Sequence, residues 1–300
     1  MNLARYYYWK YLNRKYSKYT DEQFEKLIIQ EFEKRLGRLP DITNPQSFNE
    51  KIQWLKLHYY SKKEGILADK YMNREYVSEV IGAEHLVPLL FAYDDPREIL
   101  WEEIPDNVVI KATHGSGMNR LIFSKKEINR FRVVQEMRRW LNIDYGLLNG
   151  LELHYRYCTP RIIIEKMLKS TSGEIPNDYK VFTFNNGSPV ILVCSDRFTD
   201  GGMQEIWFDS NWKKIDVQEG GMPNDSQIAR PSCLSRMLEL SERLRGEYPF
   251  VRVDWYEIDG NLYFGELTFT PKAGFEDFSP SSFDYELGAR INLKLFDHGN

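Results

Sequence analysis

The stretch VRVDWYEIDGNLYFGELTFTP, residues 251 to 271, constrains this chain more than any other segment. Each half alternates apolar and polar side chains with a period of two, and Asp259-Gly260 between them is a hairpin-turn signal. Even-numbered positions share one face of each arm, so Arg252, Asp254, Glu266 and Thr268 gather rather than scatter. Whether both arms aim these groups the same way depends on the loop. A two-residue turn pairs odd with even positions and would oppose the carboxylates. An odd-residue loop, with Gly260 left-handed at a bulge, pairs even with even and sets Asp254 beside Glu266, and this is the expectation.

Two carboxylates that close repel each other unless a cation or a proton lies between them. An oxygen-only donor set suits Mg²⁺, which is held by one or two carboxylates together with nucleotide phosphates. The plainer alternative is a hairpin whose polar face is simply wet, as one face of an antiparallel sheet commonly is.

The chain has 300 residues, enough for one large domain or two, and its 42% hydrophobic content supports a sizeable core. A formal charge of −4 argues against a general nucleic-acid binder, which carries a basic domain or stripe. Aromatic content is high at 14%, which fits a core and also fits platforms for flat ligands. Cys158, Cys194 and Cys233 are widely spaced with no CxxC pair, which points to neither a zinc site nor a disulfide framework and fits a reducing cytoplasm. No apolar run reaches the roughly 18 residues that span a bilayer. Residues 1 to 20 hold Arg5, Lys10, Arg14, Lys15 and Lys18 among tyrosines and Trp9, with no acid before Asp21. They read as a helix packing its aromatic stripe on the body, with peripheral contact to an anionic membrane surface, at its inner cytoplasmic face, as the alternative.

Residues 21 to 60 read as helical, broken between Pro40 and Pro45 and restarted at Ser47, with Glu50 completing a capping box. A helix is expected over 69 to 81 and another from 124 onward, while 142 to 160 give no regular pattern. Strands are expected at 86 to 92, 107 to 111, 161 to 165, 178 to 185, 189 to 195 and 204 to 208, with a helix near 232 to 246 before the hairpin. The sum is an α+β chain with mainly antiparallel sheets.

Three further segments carry chemistry. In NVVIKATHGSGMNRLIF a strand ends in Lys111 and enters a loop with His114, Gly115, Ser116 and Gly117, small residues whose amides can approach phosphate while the lysine adds charge. It is neither a Walker A loop nor GxGxxG before a helix. In PRIIIEKML a strand ends in Glu165 and Lys166, where backbone groups can meet a purine edge and Glu165 can accept from an exocyclic amine. In NDYKVFTFNNGSPVILVCSDRF, a hairpin through Asn186-Gly187, Asp178 and Lys180 share a strand face, so the lysine can reach phosphate while held by the acid; Asp196 and Arg197 close the partner strand as candidate substrate contacts. Each segment read alone is also compatible with an ordinary turn or a solvated strand end.

The order of these parts resembles the ATP-grasp superfamily: DK at 69 to 70, VVIK with its small-residue loop, IIIEK, RVD at 252 to 254 and GEL-T at 265 to 268. More narrowly, DKY, K-THGSG, PRIIIEK-L, NDYK, SDRF and GELTFTP are similar to the teichuronopeptide-biosynthesis, or TupA-like, branch found among genes for surface polysaccharides, over roughly residues 30 to 295. The resemblance implies two α+β subdomains with mainly antiparallel sheets clamping a nucleotide. These fall at 66–160, a small subdomain with a phosphate-covering loop, and 161–300, a large subdomain with a metal site, preceded by an N-terminal helical segment at 1–65. It implies ATP and Mg²⁺. Lys70 and Lys111 would contact phosphates under the Gly115 to Gly117 loop, and Glu165 with the backbone of Lys166 and Leu168 would lie by adenine. Asp254 and Glu266 would hold metal, and Arg252 would steady the transferring phosphoryl group.

Two positions depart from that pattern. Thr268 stands where the family's metal triad ends in asparagine, which leaves one or two Mg²⁺ open, and Lys272-Ala273 stand where glycines are expected near the acceptor. The implied activity is an ATP-dependent carboxylate–amine ligase acting through an acylphosphate in capsular, O-antigen or teichuronopeptide-like polysaccharide biosynthesis. Its partners would be a small-molecule or polysaccharide-linked carboxylate and an amine. The alternatives are a glycosyltransferase of the same pathway, a sugar kinase, and a non-catalytic nucleotide-binding module.

Overall fold

The computed structural model describes residues 2–148, 150–171, 173, 175–195, 204–220 and 227–296. Helices α1 (Leu3–Tyr16), α2 (Asp21–Leu36), α3 (Phe48–His58), α4 (Lys62–Ala68) and α5 (Asn73–Ile81) come first. Strands β1 (Leu89–Tyr93), β2 (Val108–Ala112) and β3 (Asn119–Ile122), helix α6 (Arg130–Leu141) and strand β4 (Ile162–Lys166) follow. Then come β5 (Asp178–Phe184), β6 (Gly187–Ser195), β7 (Gln204–Asp209), β8 (Lys214–Ile215) and β9 (Gln218–Glu219). Helix α7 (Leu234–Arg245), β10 (Phe250–Ile258), β11 (Asn261–Thr268), β12 (Phe278–Ser279) and α8 (Ser282–Ala289) complete the order.

The chain forms two compact units from interleaved segments: Met1–Phe24, Tyr60–Tyr76 and Val87–Leu168 make one, and Glu25–Tyr59, Val77–Leu86 and Lys169–Asn300 the other. The first unit contains a four-stranded antiparallel sheet in the order β1-β4-β2-β3. Its core sets Val108, Ile110, Ile162 and Ile164 against Val133, Met137 and Trp140 of α6, whose apolar residues recur at helical spacing. Helix α1 buries Trp9, Leu12 and Tyr16 and leaves Leu3, Tyr7, Tyr8 and Tyr11 exposed. Trp9 packs on Ile143 and Leu148, and Asn13 exchanges two hydrogen bonds with the backbone of Asp144 at 2.7 and 2.9 Å.

The second unit is built on a six-stranded antiparallel sheet in the order β11-β10-β5-β6-β7-β8. Its core is aromatic: Phe48 lies against Phe182, Phe184 and Phe250, and Trp207 against Phe182, Phe278 and Phe283, all fully or nearly fully buried. Helix α3 starts on the expected capping box, Ser47 with Glu50. Helix α5 starts at Asn73 rather than at residue 69, because Asp69 instead ends α4 and its Oδ1 accepts from the amides of Tyr71 and Met72 at 2.8 and 3.0 Å. Likewise the helix expected from residue 124 begins in earnest only at Arg130, where Asn129 caps it.

The hairpin corrects one expectation and keeps its consequence. Its turn is a two-residue loop, with Ile258 opposite Asn261 and with Asp259 and Gly260 both left-handed at φ 50° and 79°, the backbone of a type I′ turn. Such a turn pairs odd with even positions, as it does from Ile258 to Trp255, which faces Phe264. Between Asp254 and Trp255 the register then shifts by one, so that Gly265 is an extra residue on β11 and Asp254 lies opposite Glu266. A Cβ on Gly265 would come 3.1 Å from the Asp254 carbonyl oxygen, which explains glycine at the bulge.

Among the described residues no helix is long and apolar enough to cross a membrane. All three cysteines are free, with Cys158 and Cys194 buried.

Candidate functional site

In the second unit, β5, β10 and β11 lie side by side and present their charged residues as a row. Asp254 is the register partner of both Lys180 and Glu266, and Arg252 that of Thr268, so these groups share a sheet face. Arg252 forms a fork on Asp254, Nε to Oδ1 at 2.7 Å and Nη2 to Oδ2 at 2.8 Å, and reaches Glu266 Oε1 at 3.1 Å. Lys180 donates to Asp254 Oδ2 at 2.6 Å and to Asp178 Oδ2 at 2.7 Å. The Thr268 hydroxyl donates to Glu266 Oε1 at 3.1 Å. Burial works against the charge of Lys180, but Asp178 and Asp254 outweigh it and hold its pKa above the ordinary value. For Arg252, burial is likewise outweighed, chiefly by Asp254. Burial pushes the Asp254 carboxyl up while Arg252 and Lys180 oppose it. Both cations are therefore charged and aimed at one buried carboxylate.

This set passes a simple test for a hard cation. Its donors are oxygens only, its two carboxylates are cross-strand partners, and the positive Arg252 guanidinium already bridges them, standing in for the charge a metal would bring. Carboxylate oxygens carry two lone pairs each, so ligation by Asp254 and Glu266 is compatible with their hydrogen bonds. Among the described residues no group of three or more His, Cys, Asp or Glu is arranged to hold a metal, so protein ligation rests on this pair, with Thr268 beside it.

The first unit holds the other expected residues. Lys111, on β2, ion-pairs with Glu165 Oε2 at 2.7 Å diagonally across to β4, where Ile163 lies opposite Lys111 and Val109 opposite Glu165. Arg74 reaches Glu165 Oε1 at 3.2 Å and the Val87 carbonyl at 2.9 Å, so the Glu165 carboxylate is held by two cations. The Lys70 ammonium donates to the Gly115 carbonyl at 3.0 Å, and its amide to that of Thr113 at 3.2 Å, tying it to the glycine loop. Gly115 has no room for a side chain, since a Cβ would lie 2.5 Å from the Tyr145 ring, whereas Ser116 and the left-handed Gly117 are exposed at the loop tip. His114 is turned inward: it is buried, Nε2 lies 3.1 Å from the Trp140 carbonyl, and burial lowers its pKa. A neutral, enclosed imidazole offers a phosphate no charge. The amide of Lys166 donates to the Pro88 carbonyl at 3.0 Å, which leaves only other groups of Lys166 and Leu168 to meet a base.

Comparison with known proteins supplies the deciding observation: the description TupA-like ATPgrasp matches residues 50–292. The chain belongs to the TupA-like ATP-grasp family. The α+β architecture of antiparallel sheets described above is the form the family's ATP-grasp fold takes here. No curated protein matches the chain significantly. Solved structures similar to it include an ADP complex of N5-carboxyaminoimidazole ribonucleotide synthetase, 12% identical with TM-score 0.42 over 73% of this chain and 50% of that one. A D-alanine–D-alanine ligase from Bacillus anthracis is 15% identical with TM-score 0.42 over 81% and 72% of the two chains. One from Helicobacter pylori is 12% identical with TM-score 0.39 over 76% and 61%. The chain thus spans about half the length of the synthetase it matches.

Asp196 and Arg197 lie outside the described residues. Arg74 was missed as a partner in the charged clusters. It is the second residue of α5 with nothing in its local pattern to mark it, because its partner Glu165 is 91 residues away. Asp178 was legible as the acid two positions before Lys180 on one strand, and the structure makes it the second carboxylate on that lysine.

Proposed function

We propose that this protein is an ATP-dependent carboxylate–amine ligase that works through an acylphosphate, joining an amine or amino acid to a sugar-linked carboxylate in surface-polysaccharide biosynthesis. The observation that carries this reading is the buried row Lys180–Asp254–Arg252–Glu266, two cations and two carboxylates on one sheet face of a family member. In the reaction, a carboxylate oxygen of the substrate bonds to the γ-phosphorus of ATP and the bond to ADP breaks. The amine's lone pair then bonds to the acyl carbon, phosphate leaves, and the amine proton passes to solvent.

The chain's own groups position and neutralise. Arg252 and Lys180, charged and preorganised by their carboxylates, face the negative charge of the transferring phosphoryl group and need no reorganisation at the moment of reaction. Lys111 and Lys70 add charge for phosphates beside the glycine loop, and Gly117 gives that loop's tip its freedom. Asp254 and Glu266 would hold Mg²⁺, which would supply positive charge to offset that of the phosphates. The surface-polysaccharide setting rests on the resemblance to the teichuronopeptide branch.

Trapping by hydroxylamine tests the reading. With Mg·ATP and a panel of uronic acids, the protein should release ADP and yield a hydroxamate from the activated carboxylate. ADP release with a phosphorylated sugar hydroxyl and no hydroxamate would make it a kinase instead.

A further inference from the structure

Across the same sheet from the phosphoryl-facing row lies a second cluster that the proposed chemistry has not used. Asp178, Cys194 and Glu205 are register partners on β5, β6 and β7, so Glu205 shares the face of Asp178, Lys180 and Asp254, about 10 Å from Asp178 by two strand spacings. Glu219 on β9 and Glu276, before β12, converge with Glu205 on the ammonium of Lys272. Lys272 Nζ lies 3.7 Å from Glu205 Oε2, 3.9 Å from Glu276 Oε2, and in contact with Glu219 Oε1.

The three acids are enclosed, with side-chain exposures of 8%, 1% and 2% for Glu205, Glu219 and Glu276, whereas Lys272 is 48% exposed. Oε2 of Glu219 and Oε2 of Glu276 accept no hydrogen bond among the described residues. Enclosing carboxyl groups that lack hydrogen-bond donors is costly, and one half-exposed ammonium serves three of them. A metal is not the natural occupant, since among the described residues no group of three acids is close enough to hold one. A primary ammonium is: it has three N–H donors for three carboxylates, and Lys272 shows where it sits. Lys272 enters from a turn in which it and Ala273 are both left-handed, at φ 42° and 58°. That turn follows directly on the strand carrying Glu266 and Thr268.

Resting on the ligase reading above, we propose that Glu205, Glu219 and Glu276 form the recognition site for the ammonium of the amine substrate, with Lys272 as the resident stand-in that the substrate displaces. An amine held as ammonium cannot attack an acyl group, so the substrate class is an aliphatic compound with two amino groups, a diamine or a basic amino acid. One nitrogen stays protonated in the cage and the other attacks.

Calorimetric titration with 1,5-diaminopentane at about pH 8, where Glu276 is ionised, in choline chloride at fixed ionic strength, tests this without ATP; pentane-1,5-diol is the neutral control. Wild-type protein should bind the diamine saturably and the diol not at all. Lys272→Ala should bind the diamine at least tenfold more tightly, and Glu219→Gln and Glu276→Gln at least tenfold more weakly. Diamine binding no better than diol in both wild type and Lys272→Ala, or undiminished in folded glutamine variants, would overturn the proposal. If the glutamine variants do not fold by circular dichroism, the first comparison decides alone. Mg·ATP is titrated separately into wild type: ATP binding without diamine binding removes this site and spares the ligase, and the converse removes the ligase reading and spares the site.

Discussion

At the scale of single residues, the second unit carries two kinds of buried charge. Around Asp254 the cations nearly match the acids, two against three, and Arg252 and Lys180 are held charged. Around Lys272 they do not, and the Glu276 carboxyl is pushed up to about 7 from 4.5, first by burial and then by Glu205 and Asp284, against the opposing charges of Lys272 and Arg252. Because its folded pKa lies above the unfolded one, the folded protein holds this proton more tightly, so the stability it contributes is complete below about pH 4.5 and is lost as pH rises through 7. Glu276→Gln, which fixes the neutral form, should flatten the decline of the unfolding midpoint between about pH 5 and 8. An unchanged slope across that window would show that the carboxyl is not strained by its surroundings.

At the scale of elements, the hairpin shows what a sequence makes legible and what it does not. Alternation and Asp259-Gly260 marked the two strands and their turn, and the polar residues on even positions marked the charged face. The turn type was misread because the pairing of Asp254 with Glu266 required an odd insertion, and that insertion lies not in the loop but at Gly265, inside a strand. A glycine within a strand is the only local trace of such a bulge. Gly265→Ala would set a Cβ 3.1 Å from the Asp254 carbonyl oxygen and 3.3 Å from the Tyr256 ring. It should lower stability by about 1 kcal/mol and reduce the stabilisation by Mg·ATP, because both carboxylates move. Gly260→Ala, strained at φ 79° but six residues from Asp254, should lower stability by a similar amount and leave the ligand response intact. Equal ligand responses in the two variants, read by thermal unfolding, would contradict the role given to the bulge.

At the scale of the whole molecule, the chain visits each unit more than once, and this hides from linear reading which charged residues meet. Lys70 and Arg74 come from the segment Tyr60–Tyr76, yet they meet the glycine loop and Glu165 of Val87–Leu168. Each lysine was visible only through its ordered motif, and Arg74 not at all, because its partner is set by tertiary packing rather than spacing. The Lys272 cluster likewise joins β7, β9 and the turn after β11, elements that no periodicity connects. By contrast Asp178 with Lys180, and Asp254 with Glu266, were legible because the first pair shares a face of one predicted strand and the second faces itself across one predicted hairpin. The central claim is that the Asp254–Glu266 pair makes nucleotide binding depend on a divalent cation. Thermal unfolding of wild type, Asp254→Asn and Glu266→Gln with ATP, with and without Mg²⁺, tests it most directly. At about 100 times its dissociation constant, Mg·ATP should stabilise wild type by about 2.7 kcal/mol, with the gain lost without Mg²⁺ and in both variants. The same stabilisation in the variants, or in the absence of Mg²⁺, would contradict the account.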